Sequence, residues 1–271
     1  MLPLSLSGQS IIMTKSVMVF GTTILVYGTL YSISRFVTTR LYRRAYVLNC
    51  NRLERRHWNS LTPSVLHAIA VTACSTHLIV LSRTETTTTT SSTSGSTFLL
   101  SASLGYFFAD FILLLANEAK RKKPSFSAIM MIHHVVSIAA LSAALMSGMG
   151  HLNILMIMLT EATTPCIALR WILDKLNKKG TRVYLANGIL LTVTWVIFRV
   201  ILFVTYFRVV SVHTGTWHHL ATSLSPIMPK HAIMSLWVAQ YALPLPLFAM
   251  NIYWFGLILR GLVKHLRKMR R

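Results

Sequence analysis

Apolar residues in this chain come in long stretches rather than in the short periods of a soluble fold. They dominate near 14–34, 61–82, 98–117, 128–147, 152–171, 183–207 and 232–259. Each stretch reaches the roughly twenty residues that a helix rising about 1.5 Å per residue needs to cross the hydrocarbon core. Inside lipid every backbone N–H and C=O must be satisfied within its own segment, so each stretch is predicted to be a transmembrane helix. The expected fold is all-α, a polytopic membrane bundle of about seven helices. No internal repeat is visible, which counts against an inverted-repeat transporter. The last stretch exceeds one span and contains Pro244 and Pro246. Proline removes a backbone donor and clashes with the preceding turn, so a kink is expected there.

Charge orients the helices. The chain has 27 Lys and Arg against 6 Asp and Glu among 271 residues, with 54% hydrophobic and 12% charged residues. The first connection holds Arg35, Arg40, Arg43, Arg44, Arg52, Arg55 and Arg56; the third holds Lys120, Arg121, Lys122 and Lys123; the fifth holds Lys175, Lys178, Lys179 and Arg182. The tail adds Arg260, Lys264, Arg267, Lys268, Arg270 and Arg271. The intervening connections are nearly free of basic residues. Positive loops stay in the cytosol, which puts the C-terminus there and the N-terminus in the lumen. Six or eight spans would break the alternation. This confinement of charge to short loops fits anionic lipid and argues against nucleic acid as a partner.

The first stretch is too long for a signal peptide, so a retained helix is expected. The Thr/Ser run at 86–96 reads as a lumenal loop. Cys50, Cys74 and Cys166 have neither metal-binding nor redox spacing, and no glycosylation sequon occurs.

Ionisable residues inside such helices are functional candidates by default. His133 and His134 stand together in the run Ala128 to Leu141, Asp110 lies in the third stretch, Glu161 in the fifth and Arg199 in the sixth. Counted along their helices, the histidines, Asp110 and Glu161 lie roughly 8–14 Å from the cytosolic side and Arg199 roughly 20 Å or more from it. His133, His134, Asp110 and Glu161 are the catalytic candidates, with no metal. Tyr106 and Asn117 share a face with Asp110, and Ser137 sits one turn beyond either histidine; together with Arg199 they are substrate-binding candidates. Neighbouring helical residues diverge by about 100°, so only one imidazole can face a common pocket. Pro165, four residues after Glu161, frees the Glu161 carbonyl and bends the helix at that depth. An imidazole near a carboxylate could act as general base or acyl-accepting nucleophile. Each group also has a structural reading, as an ion pair or hydrogen bond between helices. No phosphate loop, GxSxG elbow or HExxH is present.

Several of these segments resemble the TLC domain family. They are Trp58-Asn59-Ser60 with Ser64-Val65-Leu66-His67-Ala68, Gly105-Tyr106-Phe107-Phe108-Ala109-Asp110, and His133-His134-Val135-Val136-Ser137. Further on come Glu161-Ala162-Thr163-Thr164-Pro165, Leu169-Arg170-Trp171 and Phe198-Arg199. That family includes ceramide synthases, translocon-associated TRAM proteins and small lipid-homeostasis proteins. The resemblance implies a first helix and basic loop over 1–54, a six-helix TLC domain over 55–265 and a basic tail at 266–271. It also implies an endoplasmic reticulum membrane protein of lipid homeostasis whose partners are membrane lipids; a homo-oligomer stays open. His133 and His134 match the paired histidines that ceramide synthases use for acyl transfer, with acyl-CoA as co-substrate and no bound cofactor. The His-Asp motif those enzymes carry on the next helix is absent: Met158-Leu159-Thr160-Glu161 stands there. The form is similar to the smaller TLC proteins. An acyltransferase acting on a sphingoid or other lipid and a non-catalytic lipid-binding regulator are therefore both carried forward.

Overall fold

The computed structural model describes residues 6–84, 93–119, 127–214, 222–226 and 229–269. Lys120 to Lys123, and most of the Thr/Ser run, lie outside the described residues. Among the described residues seven helical segments are long and apolar enough to cross a membrane, from Met13–Leu41 to Lys230–Arg267.

The first four spans are single helices: α1 (Leu6–Leu41), α3 (Arg52–Thr84), α4 (Ser94–Glu118) and α5 (Ser127–Ser147). A short helix that hydropathy did not foretell, α2 (Arg43–Leu48), links the first two spans. Thr93 starts α4 with a reciprocal cap: its hydroxyl accepts from the Ser96 N–H, and the Ser96 hydroxyl accepts from the Thr93 N–H. Gly148 and Gly150 turn the chain after α5 at φ 63° and 72°, a region that side chains other than glycine rarely adopt.

The last three spans are interrupted, each beside a polar residue or a proline. The fifth consists of α6 (His151–Met158), a 3₁₀ turn at Leu159–Thr163 and α7 (Thr164–Lys175). Pro165 has no N–H to offer the Glu161 carbonyl, which accepts instead from the Thr164 N–H across the tighter turn. The sixth consists of α8 (Arg182–Trp195), a π-helical turn at Val196–Ile201 and α9 (Leu202–Thr214). The seventh consists of α10 (Lys230–Trp237), a second π turn at Val238–Ala242 and α11 (Pro244–Met269). The Pro244 break therefore spreads back over a wide turn. The Gln240 carbonyl that Pro244 cannot bond accepts the Tyr206 hydroxyl at 2.8 Å.

The spans alternate in direction, and the first and fifth connections, both basic, meet at one end. There Asn49 Nδ2 donates to the Lys175 carbonyl at 2.6 Å, Lys175 Nζ pairs with Glu54 at 2.6 Å, and Tyr46, Cys50 and Trp58 pack with Trp171. At the opposite end the Ser96 hydroxyl and His151 Nδ1 are 2.9 Å apart. The main core joins Tyr27 of α1, Val71 of α3, Leu100 and Phe107 of α4, Leu141 of α5 and Leu155 of α6. Large apolar side chains such as Leu25, Leu41 and Met146 stay more than 70% exposed on the outside. An exterior of this kind suits acyl chains rather than water.

Candidate functional site

Asp110 and His134 meet between α4 and α5. His134 Nε2 lies 2.8 Å from Asp110 Oδ2, and the side chains are 5% and 19% exposed. His134 Nδ1 lies 2.8 Å from the Met130 carbonyl one turn back. A carbonyl can only accept, so Nδ1 carries a hydrogen. The Nε2–Oδ2 contact then holds one further proton, shared between imidazole and carboxylate. Asp110 Oδ1 accepts from the Tyr27 hydroxyl of α1 at 2.5 Å. Tyr27 and His134 are buried and Asp110 is partly so, and an ionic pair at this depth survives only with its remaining lone pairs satisfied. Both nitrogens of His134 are thus engaged with protein.

His133 points elsewhere. Its ring stands edge-on to His134 at 5.5 Å, to Trp254 at 5.7 Å and to Phe107 at 6.1 Å. Its Nδ1 is buried without a hydrogen-bond partner among the described residues. His133 lines a cavity of about 50 Å³ together with Ser137, Thr160, Glu161, Arg199 and Asn251, the rest of the wall being apolar: Phe107, Met158, Phe203 and Leu247 among others.

Arg199 is held from three sides. Nε donates to Thr163 Oγ1 at 2.8 Å, a terminal nitrogen donates to Asn251 Oδ1 at 2.9 Å, and the guanidinium lies 4.6 Å from the centre of the Trp195 ring. Trp195 is itself fixed by donation from its indole nitrogen to the Asn251 carbonyl at 3.1 Å. Glu161 is 8% exposed and accepts the Thr164 hydroxyl at 2.7 Å. It shares the cavity with Arg199, and no direct ion pair joins them among the described residues. The 3₁₀ turn aims Glu161, and the π turn aims Arg199.

The structure sorts the sequence candidates into three places. Asp110 pairs with His134. His133, Ser137, Glu161 and Arg199 share the cavity. Tyr106 lies beside both, its ring stacked on His67 at 3.8 Å and 5.9 Å from the Tyr27 ring. Asn117 stands apart: near the basic end its carbonyl oxygen accepts from Arg56 at 3.2 Å. Four residues that composition did not single out also contribute: Tyr27, His67, Thr163 and Asn251. Asn251 carried a signal, as a lone amide inside an apolar stretch. Tyr27 carried none, since tyrosines are common in such helices.

Among the described residues no three His, Cys, Asp or Glu side chains converge as a metal would need. The cysteines are free. Cys50, next to α2, is buried, and burial pushes its thiol above the usual range, so it is a poor nucleophile.

A sequence profile described as the TLC domain matches residues 57–260. No curated protein and no solved structure matches the chain.

Proposed function

This chain belongs to the TLC domain family, and from that premise we propose that it serves membrane lipid homeostasis, in the endoplasmic reticulum, by holding the polar head of a lipid in the cavity between α5 and the three interrupted spans. One observation carries the reading: Glu161, Arg199, His133, Ser137, Thr160 and Asn251 converge on a cavity whose remaining walls are apolar. Burying charge there is costly and persists where it contacts something polar. The polar atoms of a headgroup would sit among these side chains, with an acyl chain along the apolar flanks.

His133 indicates what the head offers. An unpaired lone pair is less costly to bury than an unpaired N–H. On the headgroup reading its partnerless Nδ1 is taken as the bare nitrogen and Nε2 as the one that carries the hydrogen. His133 and Arg199 then present donors, matched by a lipid oxygen.

The second reading is acyl transfer from acyl-CoA to a sphingoid or other lipid, with His133 as base. It is favoured by His133 being the imidazole that the protein leaves unpaired. Glutamine separates the two readings, because its amide donates near Nε2 but cannot take up a proton. Cells lacking this protein are rescued with His133→Ala, His133→Gln or Arg199→Gln, and their lipids are profiled by mass spectrometry. Headgroup binding predicts rescue by His133→Gln and failure by His133→Ala and Arg199→Gln. Acyl transfer predicts failure by all three. Full rescue by all three would remove any role for the cavity.

A further inference from the structure

The α1 helix lies outside the span that matches the family, residues 57–260, yet it supplies the hydroxyl that completes the buried Asp110–His134 pair. We infer that Tyr27 is a positioning residue of the lipid site and that α1 is a working part of that site rather than a membrane anchor. The inference rests on the headgroup reading for its consequence in lipids, but not for its geometry.

Three observations support it. The Tyr27 hydroxyl reaches Asp110 Oδ1 at 2.5 Å while His134 holds Oδ2, so the carboxylate is gripped from two helices at once. Tyr27 is 7% exposed and its ring packs 5.9 Å from Tyr106, which leaves the hydroxyl little freedom to turn away. The approach of α1 is also built in. A Cβ on Gly105 of α4 would lie 2.6 Å from the Phe20 carbonyl and 2.9 Å from the Thr23 Cβ, so the two helices come together only because position 105 has no side chain.

The geometry gives Tyr27 a defined route of action. Without its hydroxyl, Asp110 keeps one bond where it had two. The His134 ring, held by Asp110 and the Met130 carbonyl, then loosens. That ring stands edge-on to His133 and to Phe107 at 5.5 and 5.9 Å, and both of these line the cavity. The α1 helix thereby sets the wall of a cavity it does not touch.

The test uses the full chain, purified in nanodiscs, as wild type, Tyr27→Phe, Tyr31→Phe and Asp110→Asn. Each is exposed to diethyl pyrocarbonate, a small uncharged reagent that needs an imidazole nitrogen free of its hydrogen bond, and modification at His134 is quantified by mass spectrometry. Losing a hydrogen bond to a charged group shifts a local opening by roughly ten- to hundred-fold. His134 should therefore label at least about tenfold faster in Tyr27→Phe and Asp110→Asn than in wild type or Tyr31→Phe. Phenylalanine keeps the ring, so packing alone would leave the rate unchanged. Equal protection of His134 in Tyr27→Phe and wild type would overturn the inference.

In rescued cells Tyr27→Phe should reproduce the lipid profile of Asp110→Asn at undiminished protein abundance. Rescue by Tyr27→Phe where Asp110→Asn fails would also overturn it. If instead the cavity variants His133→Ala and Arg199→Gln rescue fully, the headgroup reading fails, and the labelling result still decides the place of Tyr27.

Discussion

At the scale of single residues, the two adjacent histidines divide the work. His134 is spent on Asp110 and the Met130 carbonyl, while His133 is left to the cavity. Sequence alone states that only one can face a pocket, because successive residues on a helix diverge by about 100°. It does not state which one, since α5 is apolar all round and no polar face fixes its rotation. The division has an energetic consequence. His134→Ala leaves Asp110 buried with Tyr27 alone, and breaking a buried ion pair from one side costs about 3 kcal/mol. His133→Ala removes an imidazole that has no hydrogen bond at Nδ1 and forms no ion pair among the described residues, so it loses ring packing against Trp254 and Phe107 but leaves no charge unpaired. Thermal unfolding of the purified variants should rank His134→Ala well below His133→Ala, and Asp110→Asn combined with His134→Ala should recover part of the loss. Equal melting of the two single variants would mean that the pair contributes no stability.

At the scale of elements, existence was legible and detail was not. Seven apolar stretches became seven spans because length and composition alone decide whether a helix can cross lipid. Pro165 marked the turn that carries Glu161, since a missing N–H can be read directly from the sequence. The π turn at Val196–Ile201 has no proline and left no such mark. A π turn is a helix with one residue too many, and it rotates what it carries relative to the regular turns around it. Here it carries Arg199 to Thr163 and Asn251. Deleting Ile197, whose side chain is half exposed on the outside, should restore a regular helix and remove the local rotation that carries Arg199 to Thr163 and Asn251. The deleted chain should reach normal abundance and helical content, yet give the lipid profile of Arg199→Gln. A wild-type profile would show that the wide turn is not what aims the guanidinium.

At the scale of the whole molecule, a sequence-distant fact becomes a single surface. The first connection carries Arg43, Arg44, Arg52, Arg55 and Arg56, and the fifth carries Lys175, Lys178, Lys179 and Arg182. The bundle brings these to one end, where Lys175 meets Glu54 and Arg56 meets Asn117. The last helix finishes there too, with His265 against Tyr184 at 5.4 Å. The opposite end, with Ser96 and His151 at its centre, gathers no comparable charge from the described residues. Basic clusters of this kind are retained on the cytosolic face, where anionic lipid attracts each Lys or Arg by about 1 kcal/mol. With an odd number of spans, the termini then fall on opposite sides. In sealed microsomes a tag placed after Arg271 should be digested by added protease, and a tag placed before Met1 should survive until detergent opens the vesicle. The reverse pattern would invert the bundle, moving the Asp110–His134 pair from the cytosolic half of the membrane to the lumenal half, because both residues lie within about 12 Å of the basic end.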